Sequence, residues 1–403
     1  MNMQSTSAGK EAGHTKFPPA PDVPFDELAA RLASIRKEME ADGLDVIVLT
    51  DVVNIQYFTD FKSFSWYYNS RPFFGIITAD DLFVLAATYE RAHVNWKPRV
   101  FSGLYYDGYI DQGVKLVADS IRDLFKGKSP RIGIDYGEEM AGHSSLALVD
   151  ALRGLAKAGD LKTAAPTLWR SRLIKTPFEA ALKRAAFTIC DDAFNQAIAK
   201  ARIGITEYEL WGMITAQTFL NGAEGGVPFP LIFSKSDFTF GRPPGNRRLE
   251  EGHYIWADFR ATYGGYPADR NRIARAGEPK AWERETYTAI RDLTLELCHM
   301  IRPGITCADF FHEAMKLWVP ASVGNKWTAV ARFGHSGGMG IVEPPSLGPD
   351  DHVEIRPGMI LHVEPKLERD GAVFQFEECV YVREDGIEFL APLCPETIPI
   401  INE

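Results

Sequence analysis

The sequence predicts an α/β protein of two domains, the second of which contains two related halves. The chain has 403 residues, which is longer than a single core usually supports. Helix-like periodicity alternates with short apolar runs up to about residue 166. A five-residue segment also recurs one hundred residues later. We therefore expect a flexible arm at 1–24, an amino-terminal domain at 25–166 and a carboxy-terminal domain at 167–403.

Local patterns predict the elements of the first domain. Residues 26–43 have helical periodicity, and a long helical pattern from residue 172 to about 198 opens the second domain. Four short runs rich in β-branched and aromatic residues predict strands at 46–50, 74–78, 82–86 and 131–135.

Composition excludes several classes of function. A net charge of -10 and the lack of a basic run argue against a nucleic-acid partner, which would need clustered Lys and Arg. No apolar stretch reaches the roughly 18 residues of a membrane span, and the amino terminus lacks a signal-peptide core, so we expect a cytoplasmic protein. Five cysteines without a C-x-x-C pair predict reduced, buried thiols rather than a disulfide framework or a zinc ribbon.

The repeat organises the second domain. R-I-G-I-T at 202–206 recurs as R-P-G-I-T at 302–306, each time between helical segments. After each copy, a glycine opens a strand that carries an acid six residues later, and we expect a second acid on the next strand. The acids are Asp258 and Asp269 in the first half and Glu364 and Glu377 in the second. Two halves around one shared site would explain this arrangement.

These acids lie in apolar surroundings, where an unpaired carboxylate is costly to bury. Ion pairs with structural roles would satisfy any one of them. The matched set favours bound cations instead.

The same segments carry a resemblance to a known family. They are D-F-R-A-T-Y-G-G-Y-P-A-D-R-N-R from Asp258, G-H at 334–335, E-P at 364–365 and E-E at 377–378. Together they resemble the metal-site pattern of the Xaa-Pro peptidase, methionine aminopeptidase and creatinase family (M24 type). N-I-Q-Y-F-T-D from Asn54 and S-R-P at 70–72 resemble the amino-terminal domain of creatinase and prolidase. The resemblance implies a creatinase-like domain followed by a pita-bread domain with an internal pseudo-twofold repeat.

The resemblance also implies a ligand set and a cofactor. Two divalent transition-metal ions are expected, and Mn²⁺, Fe²⁺, Co²⁺ and Zn²⁺ all suit oxygen-rich shells with one imidazole. Glu364 would in addition hold or deprotonate the attacking water. The expected ligands are Asp258, Asp269, His335, Glu364 and Glu377.

The sequence departs from the peptidase pattern at two positions. Peptidases of the family carry a second histidine seven residues beyond the metal-binding one, and here Val342 stands there. Another peptidase histidine, expected about sixteen residues before Asp258, falls near Gly241 or Arg242. We therefore do not expect ordinary Xaa-Pro peptidase activity.

Four further residues are candidates, each with a structural alternative. His362 could orient substrate or transfer a proton, or be a packed histidine. Arg260 could bind a substrate carboxylate or pair with a nearby acid. Arg71 matches an arginine that in creatinase binds the substrate carboxylate in the site of the neighbouring subunit, and this resemblance implies a homodimer. Alternatively, Arg71 forms an exposed ion pair. Trp66 could contribute an aromatic wall or simply pack.

These observations predict a metal-dependent hydrolase that cleaves a C–N bond in a small carboxylate-bearing substrate. One alternative is a metal-dependent lyase resembling the dimethylsulfoniopropionate lyases. The other is a non-catalytic binding module with the same fold. Such modules usually lose ligands, whereas all five are present here.

Overall fold

The computed structural model describes residues 17–140, 142, 145–225, 228–322 and 330–402. They form two compact units. The amino-terminal unit contains Pro21–Lys175 together with Val342–Pro344, and the carboxy-terminal unit contains the remainder. The first sixteen residues of the expected arm lie outside the described residues. Phe17 donates a backbone hydrogen bond to Asn221.

A six-stranded mixed sheet forms the centre of the amino-terminal unit, in the order β4-β3-β2-β1-β5-β6. The four predicted strands are present as β1, β2, β3 and β5, whereas two short strands were not predicted. The strands are β1 Val46–Leu49, β2 Phe74–Thr78, β3 Leu82–Ala87, β4 Ser102–Tyr106, β5 Ile132–Ile134 and β6 Leu161–Thr163.

Helices cover this sheet because their apolar residues recur at helical spacing. Val114, Val117 and Ile121 of α4 pack against Val46 and Phe74 of the sheet in one buried cluster. The helices are α1 Phe25–Asp42, α2 Val52–Thr59, α3 Arg91–Val94, α4 Ile110–Leu124, α5 Leu146–Leu155 and α6 Ala165–Arg172. Two 3₁₀ helices lie at Phe64–Tyr67 and Thr88–Glu90.

The carboxy-terminal unit contains four helices and three small sheets among its described residues. The sheet orders are β17-β9-β8-β7, β11-β10-β12-β15-β16 and β13-β14. The helices are α7 Pro177–Ile198, α8 Glu207–Leu220, α9 Ala281–Met300 and α10 Cys307–Ala321. The strands are β7 Leu231–Ser234, β8 Tyr254–Tyr263, β9 Tyr266–Ala276, β10 Gly334–Ser336, β11 Glu343–Ser346, β12 Ile360–Val363, β13 Lys366–Arg369, β14 Ala372–Gln375, β15 Glu378–Arg383, β16 Gly386–Phe389 and β17 Ile400–Ile401. The first two residues of β11 are counted with the amino-terminal unit.

The long helix that opens this unit starts later than its periodicity predicts. The Thr176 hydroxyl caps α7 by accepting a hydrogen bond from the Glu179 N–H, and the Glu179 carboxylate accepts one from the Thr176 N–H. Pro177 occupies the first turn. These are the signals of a helix amino terminus. Arg172 is the last residue of α6, and residues 173–176 are not helical, so the predicted pattern begins five residues before α7.

The internal repeat is confirmed by matching local geometry. Gly204 and Gly304 both have φ +91°, in the left-handed region that favours glycine. Thr206 and Thr306 each cap the following helix with a capping box. Gly204 donates to the Leu249 carbonyl and Gly304 to the Ile355 carbonyl. Equivalent sequence therefore forms equivalent turns in both halves.

All five cysteines are buried and free of disulfides, as the sequence predicts. Within the described part of the chain, no helix has the length and apolar character needed to cross a membrane.

Candidate metal centre

The first half of the site is built on the β8–β9 hairpin. Its two-residue turn is Gly264–Gly265, and both glycines have positive φ. Tight hairpin turns whose twist matches that of the strands require positive φ at both central residues. The strand register then places Arg260 opposite Asp269 and Asp258 opposite Asn271. Because side chains alternate between faces along a strand, these four residues lie on one face of the hairpin.

The second half of the site comes from β10 and β12. These strands pair antiparallel, with His335 opposite His362, and Glu364 directly follows β12. Glu377 lies between β14 and β15. The expectation that the second acid sits on the next strand is therefore correct for Asp269 but wrong for Glu377, because the β13–β14 hairpin intervenes.

The two halves converge on a compact group of potential ligands. Asp269, His335 and Glu377 offer ligand atoms that all lie within 4.8 Å of one another, and all three residues are buried. His335 Nε2 lies 3.6 Å from Glu364 Oε1 and 4.0 Å from Asp269 Oδ2. Asp258 Oδ1 lies 3.9 Å from Arg260 Nη2, and Arg260 donates through Nε to Asp269 Oδ1 at 3.0 Å. The five predicted ligands thus belong to one cluster.

His335 is held as a neutral imidazole whose Nε2 can bind a metal ion. Its Nδ1 lies 2.8 Å from the Ser336 carbonyl oxygen, which can only accept, so Nδ1 carries the proton and Nε2 keeps its lone pair. Burial lowers the pKa of His335 to about 4. The imidazole is therefore neutral at physiological pH, and its free nitrogen points toward the carboxylates.

Three of the carboxyl groups have raised pKa values. Burial, and after it the neighbouring Asp269, raises the pKa of Asp258 and of Glu377 well above the ordinary range. The same two causes raise the pKa of Glu364 to about 7. Loss of hydration is thus the larger cause of all three shifts, and crowding of negative charge adds to it.

This group fits divalent metal ions. Four carboxylates and one neutral imidazole form an oxygen-rich ligand set of the kind such ions prefer. Asp258 Oδ1 forms no hydrogen bond with any described residue, and a buried carboxylate oxygen without a hydrogen bond is costly. The residues that would hold the ions are Asp258, Asp269, His335, Glu364 and Glu377.

The other predicted residues have clear local positions. Arg260 bonds to Asp269 on the hairpin face. His362 is fully buried, and its Nδ1 lies 2.7 Å from Glu377 Oε1. Trp66 and Arg71 belong to the amino-terminal unit, where Trp66 packs edge-on against Phe61 and Phe73.

Sequence reasoning missed the groups that support Glu364. Gln375 donates to Glu364 Oε2 at 3.3 Å, and Trp256 Nε1 donates to Gln375 Oε1 at 3.0 Å. Lys366, two residues beyond Glu364, lies with its Nζ 4.3 Å from the ring centroid of Phe240. Alternation along the strand places Trp256 on the same face as Asp258. That alternation is the signal in the sequence that could have predicted part of this hydrogen-bonded series.

A cavity of about 520 Å³ opens beside the site in the carboxy-terminal unit. Asp258 and Arg260 form part of its wall. Most of the remaining wall is aromatic or proline, with two rings, Tyr208 and Trp211, stacked at a centroid distance of 5.8 Å. The other lining residues are Pro228, Phe229, Pro230, Phe240, Gly241, Arg242, Pro243 and Pro244.

Known proteins match both units. A family model described as metallopeptidase family M24 matches residues 181–384, and one described as the creatinase/prolidase N-terminal domain matches residues 31–174. A Xaa-Pro dipeptidase of Pyrococcus furiosus is 24% identical over 369 residues, covering 89% of this chain and 97% of the relative.

Solved structures share the fold. A prolidase from Thermococcus sibiricus superposes with a TM-score of 0.81 at 18% identity, covering 94% of this chain and 100% of that one. The N-terminal domain of FACT complex subunit SPT16 from Cicer arietinum gives a TM-score of 0.72 at 11% identity, covering 93% and 98%. These structures confirm the predicted fold class, and the family matches confirm the predicted enzyme class, a metal-dependent hydrolase. The chain belongs to metallopeptidase family M24 and carries a creatinase/prolidase-type amino-terminal domain.

Proposed function

We propose that this protein binds two divalent metal ions and hydrolyses a C–N bond in a small substrate that bears a carboxylate. The observation that carries the proposal is the convergence of Asp269, His335 and Glu377 within 4.8 Å, with Asp258 and Glu364 beside them. Bound ions would polarise the scissile group and make an attacking water more acidic. Mn²⁺, Fe²⁺, Co²⁺ and Zn²⁺ all suit the ligand set.

The cavity beside Asp258 supports a small substrate with one anionic and one apolar part. Arg260 offers a guanidinium, which can bind a carboxylate in a bidentate manner. Asp269 and Asp258 outweigh the effect of burial and raise the pKa of Arg260, so it keeps its charge. The aromatic wall would contact the apolar part. A volume of about 520 Å³ lies within the usual range of small-molecule sites.

Glu364 is the proposed general base. Its carboxylate lies within the ligand cluster, where it could take a proton from the attacking water and return it. Gln375 holds one of its oxygens, and the other lies 3.6 Å from His335 Nε2. The same group would protonate the leaving nitrogen after accepting the proton of water.

We also propose that Xaa-Pro peptides are poor substrates, although relatives bear the name Xaa-Pro dipeptidase. Val342 stands where the family pattern has a histidine, and its side chain can neither donate a hydrogen bond nor move a proton. Loss of such a group costs roughly 10²- to 10⁴-fold in rate.

The amino-terminal unit supports a homodimer that completes the site with Arg71. The Arg71 guanidinium lies 4.5 Å from the ring centroid of Tyr109, which is 57% exposed. The nearby 3₁₀ helix exposes Phe64 at 92% and Tyr67 at 83%. Exposed aromatic residues around an arginine are typical of protein interfaces, and a second copy would bury them.

A substrate screen tests the proposed function. The metal-loaded protein should cleave compounds of one class among dipeptides, creatine-like amidines and sulfonium or ammonium betaines, and Glu364→Gln should abolish turnover. Products of C–N hydrolysis would support the proposal. Elimination products that contain an alkene would show a lyase. Ligand binding without turnover would show a non-catalytic module.

A further inference from the structure

His362 is packed directly onto the metal-binding histidine. The two residues face each other across β10 and β12, and their rings stack with centroids 5.0 Å apart and planes 15° apart. Both side chains are buried. Stacking fixes the plane of each ring, so His362 has little freedom to turn within the folded protein.

His362 also contacts a second ligand. Its Nδ1 lies 2.7 Å from Glu377 Oε1. An ionised carboxylate can only accept a hydrogen bond, so Nδ1 must be the donor whenever Glu377 is ionised. One imidazole thus touches the ring of His335 and holds an oxygen of Glu377, which fixes the positions of two ligands relative to each other.

The sequence leaves room for this ring at Gly337. A Cβ atom at that position would lie 2.8 Å from His362 Nε2 and 3.0 Å from Lys183 Nζ. Both distances are shorter than ordinary contacts, and both side chains are buried. Glycine at residue 337 therefore leaves the space that the His362 ring occupies.

We propose that His362 is a positioning residue of the metal centre, which orients the Glu377 carboxylate toward the ions and braces His335. This inference rests on the proposed function, because it assumes that the cluster binds metal. Groups that hydrogen-bond to metal ligands typically contribute 10- to 100-fold in metal affinity. His362 acts through Glu377 and is not required to touch substrate.

Binding of Co²⁺ to the protein, after a chelator has removed its metal, tests the proposal without a substrate. His362→Leu removes the donor and keeps an apolar side chain, and we expect it to weaken Co²⁺ binding about 10- to 100-fold. His362→Asn returns an amide N–H near the position of Nδ1, and it should recover most of that loss. The visible absorption of bound Co²⁺ should change in His362→Leu and return toward wild type in His362→Asn.

Two further variants keep the test decisive. Gly337→Ala should displace the ring and weaken Co²⁺ binding while the histidine is retained, which covers the case in which His362→Leu does not fold. His253→Leu alters another buried histidine of the same unit, whose contacts are with Glu250 and Arg247, and it should leave Co²⁺ affinity within about threefold of wild type.

The outcomes separate the two proposals. Failure of the wild-type protein to bind Co²⁺ would overturn the proposed function and this inference together. Normal binding by wild type, with His362→Leu and Gly337→Ala both within about threefold of it, would overturn the positioning role alone. Loss in His362→Leu that His362→Asn does not restore would also contradict it, because the hydrogen bond would then be irrelevant.

Discussion

At the scale of single residues, Val342 is the proposed difference between this site and the peptidase pattern of the family. It lies seven residues beyond His335, where the family pattern has a histidine. A branched aliphatic side chain can neither donate a hydrogen bond nor carry a proton, whereas the five proposed metal ligands are all present in the sequence. We therefore propose that the residue bears on the choice of substrate rather than on the binding of metal.

We predict that Val342→His raises Xaa-Pro dipeptide turnover by about tenfold or more. The gain should be smaller than the roughly 10²- to 10⁴-fold value of a well-placed acid–base group, since the second peptidase histidine would still be absent. The measurement is kcat/KM on Xaa-Pro dipeptides, with Val342→Leu as the control that adds bulk without an imidazole. Wild-type cleavage at about 10⁴ M⁻¹s⁻¹ or above, the range of ordinary enzymes, would show that Val342 does not prevent peptidase activity.

At the scale of elements, the β10–β12 pair determines where His335 lies. The two strands approach so closely that a Cβ on Gly334 would lie 1.8 Å from the His362 carbonyl oxygen. Only glycine permits this approach. A change at residue 334 should therefore move the adjoining ligand candidate, His335.

Gly334→Ala is expected to separate the strands, lower the free energy of unfolding by at least about 1 kcal/mol and weaken Co²⁺ binding. Gly212→Ala is the matched control, because Gly212 lies within α8 and a Cβ there meets nothing within 4 Å. That substitution should stabilise the protein by about 0.5–1 kcal/mol through helix propensity. Equal, small effects of both substitutions in urea unfolding would contradict the close-approach argument.

The repeat could be predicted from the sequence because it rests on local signals. Glycines at positive φ and capping threonines have the same chemistry in both halves, and the spacing of the acids follows from strand geometry. The position of Glu377 could not be predicted, since the turn at Asp370–Gly371 and the two four-residue strands around it give a weak signal. The contact between Trp256 and Gln375 joins residues 119 apart, and such contacts depend on tertiary packing.

For the whole molecule, metal and pH should act together on stability. Burial, and after it Asp269, raises the folded-state pKa of Glu364 to about 7, whereas a glutamate in the unfolded chain titrates near 4.3. In the metal-free protein the folded state thus binds protons more tightly than the unfolded state. The contribution of Glu364 to the free energy of unfolding is fully present below about pH 4 and is lost as the pH rises through about 7.

The metal-free protein should therefore have a lower Tm at pH 8 than at pH 6, with Glu364 contributing on the order of 1 kcal/mol to that difference. Glu364→Gln should flatten this pH dependence, because the amide does not ionise. Thermal unfolding in the presence of a chelator provides the measurement. A metal-free Tm that increases from pH 6 to pH 8 would mean that the acids do not repel one another in the folded state.

Subunit exchange tests the proposed dimer. Arg71→Ala and Glu364→Gln should each be inactive alone. After exchange of an equal mixture, half of the dimers are mixed and each has one intact site, so about a quarter of wild-type activity should return. Mass spectrometry can verify the exchange independently. No recovery in an exchanged sample would show that Arg71 does not serve a site in the partner subunit.

The metal content of the purified protein tests the central claim most directly. Mass spectrometry should find close to two divalent transition-metal ions per chain, and Asp269→Ala or Glu377→Ala should each lose at least one. Glu283→Gln, which alters a buried acid paired with Arg275, should retain both. Full metal content in both ligand variants, or a wild-type protein that binds no divalent ion when these are supplied, would contradict the assignment of this cluster as the metal centre.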